Sequence, residues 1–426
     1  MKKMKRTAVA LLIVLPFLTA TSFALEYFEV SKPSIKKATV YVTADETSNL
    51  TNQFVSQLQQ MLERSLLFES VSSRGDADYS VTLANRVESK DLLVTIEGEK
   101  QSTYKTKYFG IRFRNTDDEY LGRKTAQMAN RIIKEFFGIE GSIGSTIAWS
   151  VTEGSRKVIY KKEFGIEDAK EQVTYNFYTN YGVSWNPSKD FILYTSHTDR
   201  GTVMNVQQVN PLVYKSAEVY KEMGQASSPI WAPDGTIYLT LHISDQNSDI
   251  FQFQLEGTLG DSETLSLKRI RKMTHIPSIE TEPALSPDNK TMAFVSDQTS
   301  EPQIYTLDLA TMETTRITRK GGYNVSPAFS PNGRYLVYRG LREGISAIYR
   351  YDLDTGTEKQ LTSSRILAEE PSWSPDGSLI VFTGRISKTG YSKIYYMLAS
   401  GGDFKRLTTA ASDVVETSPS WGPALK

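Results

Sequence analysis

Residues 371–377 read Pro-Ser-Trp-Ser-Pro-Asp-Gly, and five variants of this stretch occur elsewhere in the chain. The variants are Val-Ser-Trp-Asn-Pro-Ser (183–188), Pro-Ile-Trp-Ala-Pro-Asp-Gly (229–235), Pro-Ala-Leu-Ser-Pro-Asp-Asn (283–289), Pro-Ala-Phe-Ser-Pro-Asn-Gly (327–333) and Pro-Ser-Trp-Gly-Pro (419–423). The turn prolines, at 187, 233, 287, 331, 375 and 423, are separated by 46, 54, 44, 44 and 48 residues. A period of this length predicts a β-propeller with one repeat per blade.

Each repeat also contains the pattern of four short strands. Pro-Asp-Gly is a turn signal because Pro presets φ and Gly tolerates a positive φ. An apolar strand such as 379–382 follows the turn, and an Ile-Tyr pair (304–305, 348–349 and 394–395) marks the next strand. The last strand of a repeat ends in a segment such as Arg-Leu-Thr at 406–408. Four strands in each unit are typical of a propeller blade.

The two ends of the repeat region predict how the propeller closes. Residues 146–174 carry the features of later strands without a first strand before them, whereas residues 419–423 form a first strand with no blade behind it. Joining the two completes a sixth blade and leaves no open sheet edge. The predicted fold is therefore mainly β, a six-bladed propeller with four-stranded blades closed by the C-terminal strand.

Residues 25–140 have a different pattern, which predicts a small α/β domain before the propeller. Residues 38–43 read as a strand, with further strand-like runs at 78–84, 91–98 and 104–114. Apolar residues recur at helical spacing over 54–66, with Ser48 or Thr51 as the N-cap, and again over 121–136 up to Gly138. The predicted division is a signal peptide (1–24), an α/β domain (25–140) and a propeller (141–426).

The first 24 residues have the pattern of a secretory signal peptide. Lys2, Lys3, Lys5 and Arg6 precede an apolar run over 8–18, and Ser22-Phe23-Ala24 offers a cleavage site after Ala24. A membrane anchor is the other interpretation, but the run is short for a bilayer. We therefore expect export to the periplasm, and no later segment predicts membrane insertion.

The composition excludes several classes of function. The chain has 426 residues, no Cys, three His and a formal net charge of zero. The absence of Cys excludes disulfides, a thiol nucleophile and thiolate-bound zinc. A balanced charge gives no basic field for nucleic acid. No Gly-x-Ser-x-Gly, Walker or His-Glu-x-x-His motif occurs, so we predict no cofactor, no bound metal and no enzymatic activity.

Two sets of residues at repeated positions are candidates for a binding site. His197, His242 and Arg385 lie nine or ten residues after their turn prolines. Histidines at a channel mouth could hold a metal, although a tolerant polar loop position is the simpler interpretation because Leu341 fills it in another repeat. The second set immediately precedes the first prolines of the inner strands and consists of Ser228, Glu282, Ser326, Glu370 and Ser418. These side chains should rim a mouth of the channel, where the two carboxylates could contact a partner, act as an acid–base pair or bind a cation.

The junction Phe136-Phe137-Gly138-Ile139-Glu140-Gly141, followed by Ile147-Ala148-Trp149, resembles the TolB family when it is combined with the repeats. The resemblance implies a monomeric, non-enzymatic periplasmic scaffold for envelope integrity and cell division. A Pal-like peptidoglycan-associated lipoprotein would bind the propeller. A TolA-like inner-membrane protein would bind the N-terminal segment Glu26, Tyr27, Phe28, Glu29 and Val30. The alternative is a periplasmic propeller enzyme, a metal-dependent lyase or lactonase that uses the channel carboxylates.

Overall fold

The computed structural model describes residues 37–45, 48–86, 91–99, 106–112, 118–166, 170–220, 225–244 and 246–422. The predicted signal peptide (1–24) and the predicted docking segment (Glu26 to Val30) lie outside the described residues. Within the described part of the chain, no helix combines the length and the apolar character needed to cross a bilayer.

The N-terminal part is a small α/β unit, as the sequence predicts, and consists of a five-stranded sheet with two helices. The elements are β1 (Ala38–Ala44), α1 (Asn49–Arg64), β2 (Phe68–Ser70), β3 (Tyr79–Arg86), β4 (Asp91–Gly98), β5 (Lys107–Arg112) and α2 (Asp118–Phe137). The strand order is β2-β1-β3-β4-β5, with β1 parallel to both of its neighbours and the remaining pairs antiparallel. The sequence did not predict β2, because three residues are too few to show a period of two.

Both helices bury the faces that their apolar periodicity predicts. In α1 the side chains of Phe54, Leu58 and Leu62 are fully buried, and in α2 those of Leu121 and Ile132 are. Ser48, not Thr51, is the N-cap of α1: its hydroxyl accepts the Thr51 N–H at 3.1 Å, and the Thr51 hydroxyl accepts the Ser48 N–H at 2.8 Å. This reciprocal pair satisfies two backbone donors that the first helical turn leaves open.

The C-terminal part consists of six four-stranded sheets. After β6 (Thr146–Glu153), β7 (Arg156–Glu163) and β8 (Glu171–Gln172), blade 1 contains β9 (Thr179–Trp185), β10 (Phe191–Thr198), β11 (Gly201–Val209) and β12 (Leu212–Tyr220). Blade 2 contains β13 (Gln225–Trp231), β14 (Ile237–Ser244), β15 (Asn247–Glu256) and β16 (Ser266–Lys272). Blade 3 contains β17 (Glu280–Leu285), β18 (Thr291–Ser296), β19 (Gln303–Asp308) and β20 (Thr314–Arg316). Blade 4 contains β21 (Tyr323–Phe329), β22 (Tyr335–Arg342), β23 (Ile345–Asp352) and β24 (Glu358–Gln360). Blade 5 contains β25 (Leu367–Trp373), β26 (Leu379–Arg385), β27 (Lys393–Leu398) and β28 (Phe404–Arg406), and β29 (Glu416–Trp421) ends the series.

Blade 6 is built from both ends of the repeat region, which confirms the predicted closure. Its sheet has the order β29-β6-β7-β8, and β29 pairs antiparallel with β6, with Trp421 opposite Ile147. The carboxylate of Glu416 stabilises this joint between β29 and β6 through two hydrogen bonds. It accepts the indole N–H of Trp149 at 3.1 Å and the hydroxyl of Thr408 at 2.5 Å. All three side chains are buried, so these bonds form out of contact with water.

The Ser-Pro-Asp-Gly motif is explained by the turn that follows each inner strand. In blade 5 the hydroxyl of Ser374 accepts the N–H of Leu379 at 2.9 Å, and Asp376 accepts the N–H of Ser378 at 3.0 Å. Gly377 has φ of +73°, a conformation that side chains disfavour. The same hydroxyl bond occurs at Ser286 and Ser330, so the repeated letters specify one turn geometry.

The tryptophans that recur in the repeats pack between blades. Trp185, Trp231, Trp373 and Trp421 are all less than 10% exposed. The indole N–H of Trp373 in blade 5 donates to the carbonyl of Ala328 in blade 4 at 3.1 Å. The indole N–H of Trp185 in blade 1 donates to the carbonyl of Ser420 in blade 6 at 3.3 Å.

The α/β domain and the propeller share one continuous apolar core beside blades 5 and 6. Phe164 lies edge-on to Tyr396 and Trp421, with ring centroids 5.2 and 5.0 Å apart. The side chain of Asn130 on α2 bonds both the N–H and the carbonyl of Ile143, at 3.0 and 2.8 Å. The segment between α2 and β6 is therefore tied to the helix that precedes it.

We predict that Glu416→Ala destabilises the propeller by about 3–5 kcal/mol, because it removes one partner of a buried charged network. Trp149 would lose its hydrogen-bond acceptor, and the buried ammonium of Lys393 would lose a nearby opposite charge. The measurement is the free energy of unfolding in urea.

Glu313→Ala is the matched control, since Glu313 is exposed in a turn of blade 3 and should change stability by less than about 0.5 kcal/mol. Equal stability of the two variants would contradict the assigned role of Glu416.

Candidate functional site in the propeller channel

The inner strands of the six blades surround the central channel, and each contains one residue in the left-handed region of backbone space. The five predicted ring residues all have this conformation: φ is 49° at Ser228, 51° at Glu282, 56° at Ser326, 52° at Glu370 and 55° at Ser418. At each of them the pairing with the second strand of the blade shifts register, as at a β-bulge. The bulge places one side chain per blade at the same level of the channel.

Gly182 is the sixth member of this ring and was missed from the sequence. Its φ is 67°, and the same register shift follows it in blade 1. No proline follows Gly182, and the following proline was the marker that identified the other five. A different spacing would have found it, because Gly182 precedes Trp185 by three residues just as Ser228 precedes Trp231.

The ring lies halfway along the channel rather than at its mouth. Each member is the third or fourth residue of an inner strand of six or seven residues, and the five side chains are half-buried. The inner strands begin two or three residues before the ring positions, earlier than the proline-based repeats indicate. No turn signal marks the beginning of each inner strand, so the sequence did not predict where these strands begin.

The two carboxylates of the ring bind the backbone of the next blade. Glu282 Oε2 accepts the N–H of Ser326 at 2.6 Å. Glu370 Oε2 accepts the N–H of Ser418 at 2.7 Å, and its Oε1 accepts the Ser418 hydroxyl at 2.9 Å. The hydroxyl of Thr383 also donates to Glu370, at 2.6 Å. The ring thus contains two Glu-to-Ser links, one between blades 3 and 4 and one between blades 5 and 6.

Burial raises the pKa of Glu282, and the charge of Glu370 raises it further. The Ser326 N–H and the charge of Arg339 act in the opposite direction. Arg339 is itself ion-paired with Glu369 at 3.0 Å. An added positive group near the ring would therefore be favoured, because it would stabilise the ionised form of Glu282.

The second predicted set occupies one end of the channel, apart from the ring. His197, His242 and Arg385 lie opposite the first residues of their inner strands, which are Thr179, Gln225 and Leu367. The equivalence that the sequence predicts is thus present in the register. Three residues of strand, about 10 Å, separate this level from the ring, so the structure does not bring the two sets together.

His242 is half-buried, whereas His197 is exposed. The ring of His242 contacts the hydroxyl of Ser227 at 2.9 Å and that of Ser248 at 2.8 Å, and burial lowers its pKa. Both ring nitrogens are therefore occupied by hydroxyls. Among the described residues, no group of three or more His, Cys, Asp or Glu side chains is placed to hold a metal ion.

We predict that Glu370→Ala destabilises the protein by about 2–3 kcal/mol, since the Ser418 N–H and two hydroxyls lose a charged acceptor. Glu370→Gln keeps one carbonyl oxygen for the Ser418 N–H and should retain most of the stability. Urea unfolding of both variants measures the difference, and an equally stable Ala variant would contradict this role.

The model of the TolB beta propeller domain matches residues 134–425. A protein TolB homolog from Chlorobium luteolum is 28% identical over 183 residues, which is 43% of this chain and 38% of the relative. The Tol-Pal system protein TolB of Bordetella pertussis is 29% identical over 198 residues, which is 46% of this chain and 42% of the relative. The match therefore spans about two fifths of the length of these curated relatives.

The crystal structure of TolB from Acinetobacter baumannii has a TM-score of 0.75 and covers 91% of this chain and 97% of that chain at 19% identity. Hydrazine synthase from Kuenenia stuttgartiensis has a TM-score of 0.52 at 11% identity and covers 66% of this chain and 47% of that chain. At such identities the likeness shows the fold alone. The family model matches well over half of the chain, and the chain belongs to the TolB beta propeller family.

Proposed function

We propose that this chain is a non-enzymatic periplasmic scaffold of a Tol–Pal-type system whose propeller channel binds a protein partner. The observation that carries the proposal is the state of the channel carboxylates. Glu282 and Glu370 accept backbone N–H groups of neighbouring blades. A general acid or base must exchange its proton with a substrate, whereas these two groups support the propeller itself. Their remaining acceptor capacity suits a partner segment rich in N–H donors.

The partner that we propose for the propeller is a Pal-like peptidoglycan-associated lipoprotein. Support comes from relatives that are named Tol-Pal system protein TolB. The channel ring offers two carboxylates and three hydroxyls, a set that favours lysine, arginine or backbone donors. His197, His242 and Arg385 at the channel end would contact the same partner. The roles in envelope integrity and cell division belong to this proposal.

We assign a second contact to the N-terminal region. The proposed partner is a TolA-like inner-membrane protein, and the proposed docking segment is Glu26, Tyr27, Phe28, Glu29 and Val30. The proposed boundary at residue 140 separates the domain that carries this segment from the propeller. Signal-peptide cleavage after Ala24 would leave Glu26 one residue from the new N-terminus.

The test uses the mature chain (25–426) as bait for detergent-solubilised envelope, followed by titration with the purified peptidoglycan-associated lipoprotein that it captures. We expect Glu282→Gln with Glu370→Gln to weaken this binding at least tenfold. The charges are lost while one acceptor oxygen remains for each Ser N–H, so the melting temperature should stay near that of the parent.

Glu313→Gln is the matched control, because it removes one exposed carboxylate on blade 3, away from the channel. Unaltered affinity of the double variant would contradict the channel assignment. Failure to capture any peptidoglycan-binding lipoprotein, together with a stoichiometric metal in the purified chain, would favour a metal-dependent lyase or lactonase instead.

A further inference from the structure

One buried position recurs at every seam between blades, two residues before the ring. In the inner strands it is occupied by Asn180, Ala226, Glu280, Asn324, Ala368 and Glu416, all of which are at most 1% exposed. The third strand of the preceding blade faces this position, with Val158, Val203, Asp249, Gln303, Ala347 and Lys393. Each seam therefore contains one such pair of positions.

In five of the six seams the two side chains need no additional proton to balance their charges. The amide of Asn324 donates to Gln303 Oε1 at 2.8 Å between blades 3 and 4. Lys393 and Glu416 have opposite charges between blades 5 and 6. Alanine or valine fills at least one side of each of the remaining three. The seam between blades 2 and 3 differs, because it brings together two buried carboxylates, Asp249 and Glu280. Their chain neighbours Ser248 and Ile279 form a parallel β-bridge across this seam.

Among the described residues, one ammonium group, that of Lys272, balances the charge of this pair of carboxylates. Lys272 Nζ on β16 lies 2.8 Å from Asp249 Oδ2, and about a third of the Lys272 side chain is exposed. Glu280 Oε1 accepts a long hydrogen bond, 3.4 Å, from the hydroxyl of Ser278, and the nearby hydroxyl of Thr274 also favours the ionised carboxylate. Glu280 Oε2 is buried and has no hydrogen-bond partner among the described residues. Two ionised carboxylates beside one ammonium would leave an uncompensated buried charge.

The other charged groups near this seam are already engaged. On β14, His242 contacts the hydroxyls of Ser227 and Ser248. Beyond β18, Asp297 accepts the N–H of Ile279 at 2.8 Å. At the position equivalent to Glu280, the neighbouring inner strands β13 and β21 carry Ala226 and Asn324, which do not titrate. The charge balance of the seam therefore depends on Glu280, Asp249 and Lys272.

We propose that protonation of Glu280 controls the packing of blade 2 against blade 3. The seam between these blades is closed while Glu280 is protonated and loosens when Glu280 loses its proton. A protonated Glu280 is neutral and supplies an O–H donor beside Asp249. When the proton is lost, two negatively charged carboxylates repel each other in a seam from which water is excluded. Glu280 and the ring residue Glu282 are two residues apart in β17, so a shift of this strand changes the Glu282–Ser326 link in the channel. This inference does not depend on the proposed partner.

The direction of the pH dependence follows from the environment of Glu280. Burial and the charge of Asp249 raise the pKa of Glu280 to about 7, against 4.5 for a free side chain, while the hydroxyls of Thr274 and Ser278 and the charge of Lys272 oppose them. A raised carboxyl pKa means that the closed seam binds the proton more tightly than the open seam. Closure is therefore most favourable below pH 4.5 and weakens as the pH rises towards 7.

Hydrogen exchange of the full mature chain between pH 5 and pH 8, corrected for the chemical exchange rate, tests the proposal. We expect the opening equilibrium of peptides containing β17 to rise on the order of 50-fold over this range. The equivalent peptide of β9, which carries Asn180 in place of Glu280 and Gly182 in place of the ring glutamate, is the internal control and should change little.

Glu280→Gln should abolish the pH dependence of β17, because an amide cannot ionise. Asp249→Asn should shift the change to lower pH, since the opposing charge is gone and Lys272 is free to pair with Glu280. Parent β17 exchange that is independent of pH, or an unchanged pH dependence in the Glu280→Gln variant, would overturn the proposal. Both outcomes are measured on folded protein and are independent of partner capture.

Discussion

The antiparallel pairing of β29 with β6 is the constraint on which the rest of the structure depends. A propeller blade exposes two edges, and a ring of blades has no free end only if the first and last segments share one sheet. Here the last strand supplies the inner strand of blade 6, and the Glu416 carboxylate links Trp149 to Thr408 at that joint. The α/β domain packs beside the same joint, where Phe164 contacts Trp421. Ring closure and domain attachment therefore share one core.

Closure also determines the character of the channel. Six inner strands at fixed spacing bring six bulges to one level, and each bulge holds a residue at positive φ. Two of these residues are glutamates that accept N–H groups from the next blade. The channel carboxylates are thus part of the structure that they line, which supports the proposed binding function over an acid–base function. It also means that a substitution there affects stability and binding together, unless an acceptor oxygen is kept.

The seams differ from one another even though the blades repeat. At the same buried position the chain uses amides, small apolar residues, two side chains of opposite charge and one pair of carboxylates. Each solution satisfies the same geometric position by different chemistry. The pair of Asp249 and Glu280 is the exception. Lys272 balances one negative charge, so in our proposal the site is neutral only when one of the two carboxylates is protonated. Local stability in a propeller of this kind is therefore a property of individual seams.

Much of the fold was predictable because its signals are local. A turn that requires Ser, Pro and Gly in order is visible in the sequence as a short motif. Six variants of this motif occur at intervals of 44 to 54 residues. The helix faces of the N-terminal domain follow from periodicity for the same reason. The three-residue strand β2 lacked such a signal, and so did Gly182, which forms its bulge without a following proline. The sequence by itself determined the number of blades, the closure and the candidate ring, because each is set by spacing along the chain. Only the tertiary structure decided that the ring lies halfway down the channel, that its glutamates bind neighbouring blades, and that Asp249 meets Glu280. Those facts join residues 31 to 48 positions apart through strand register, which no local pattern records.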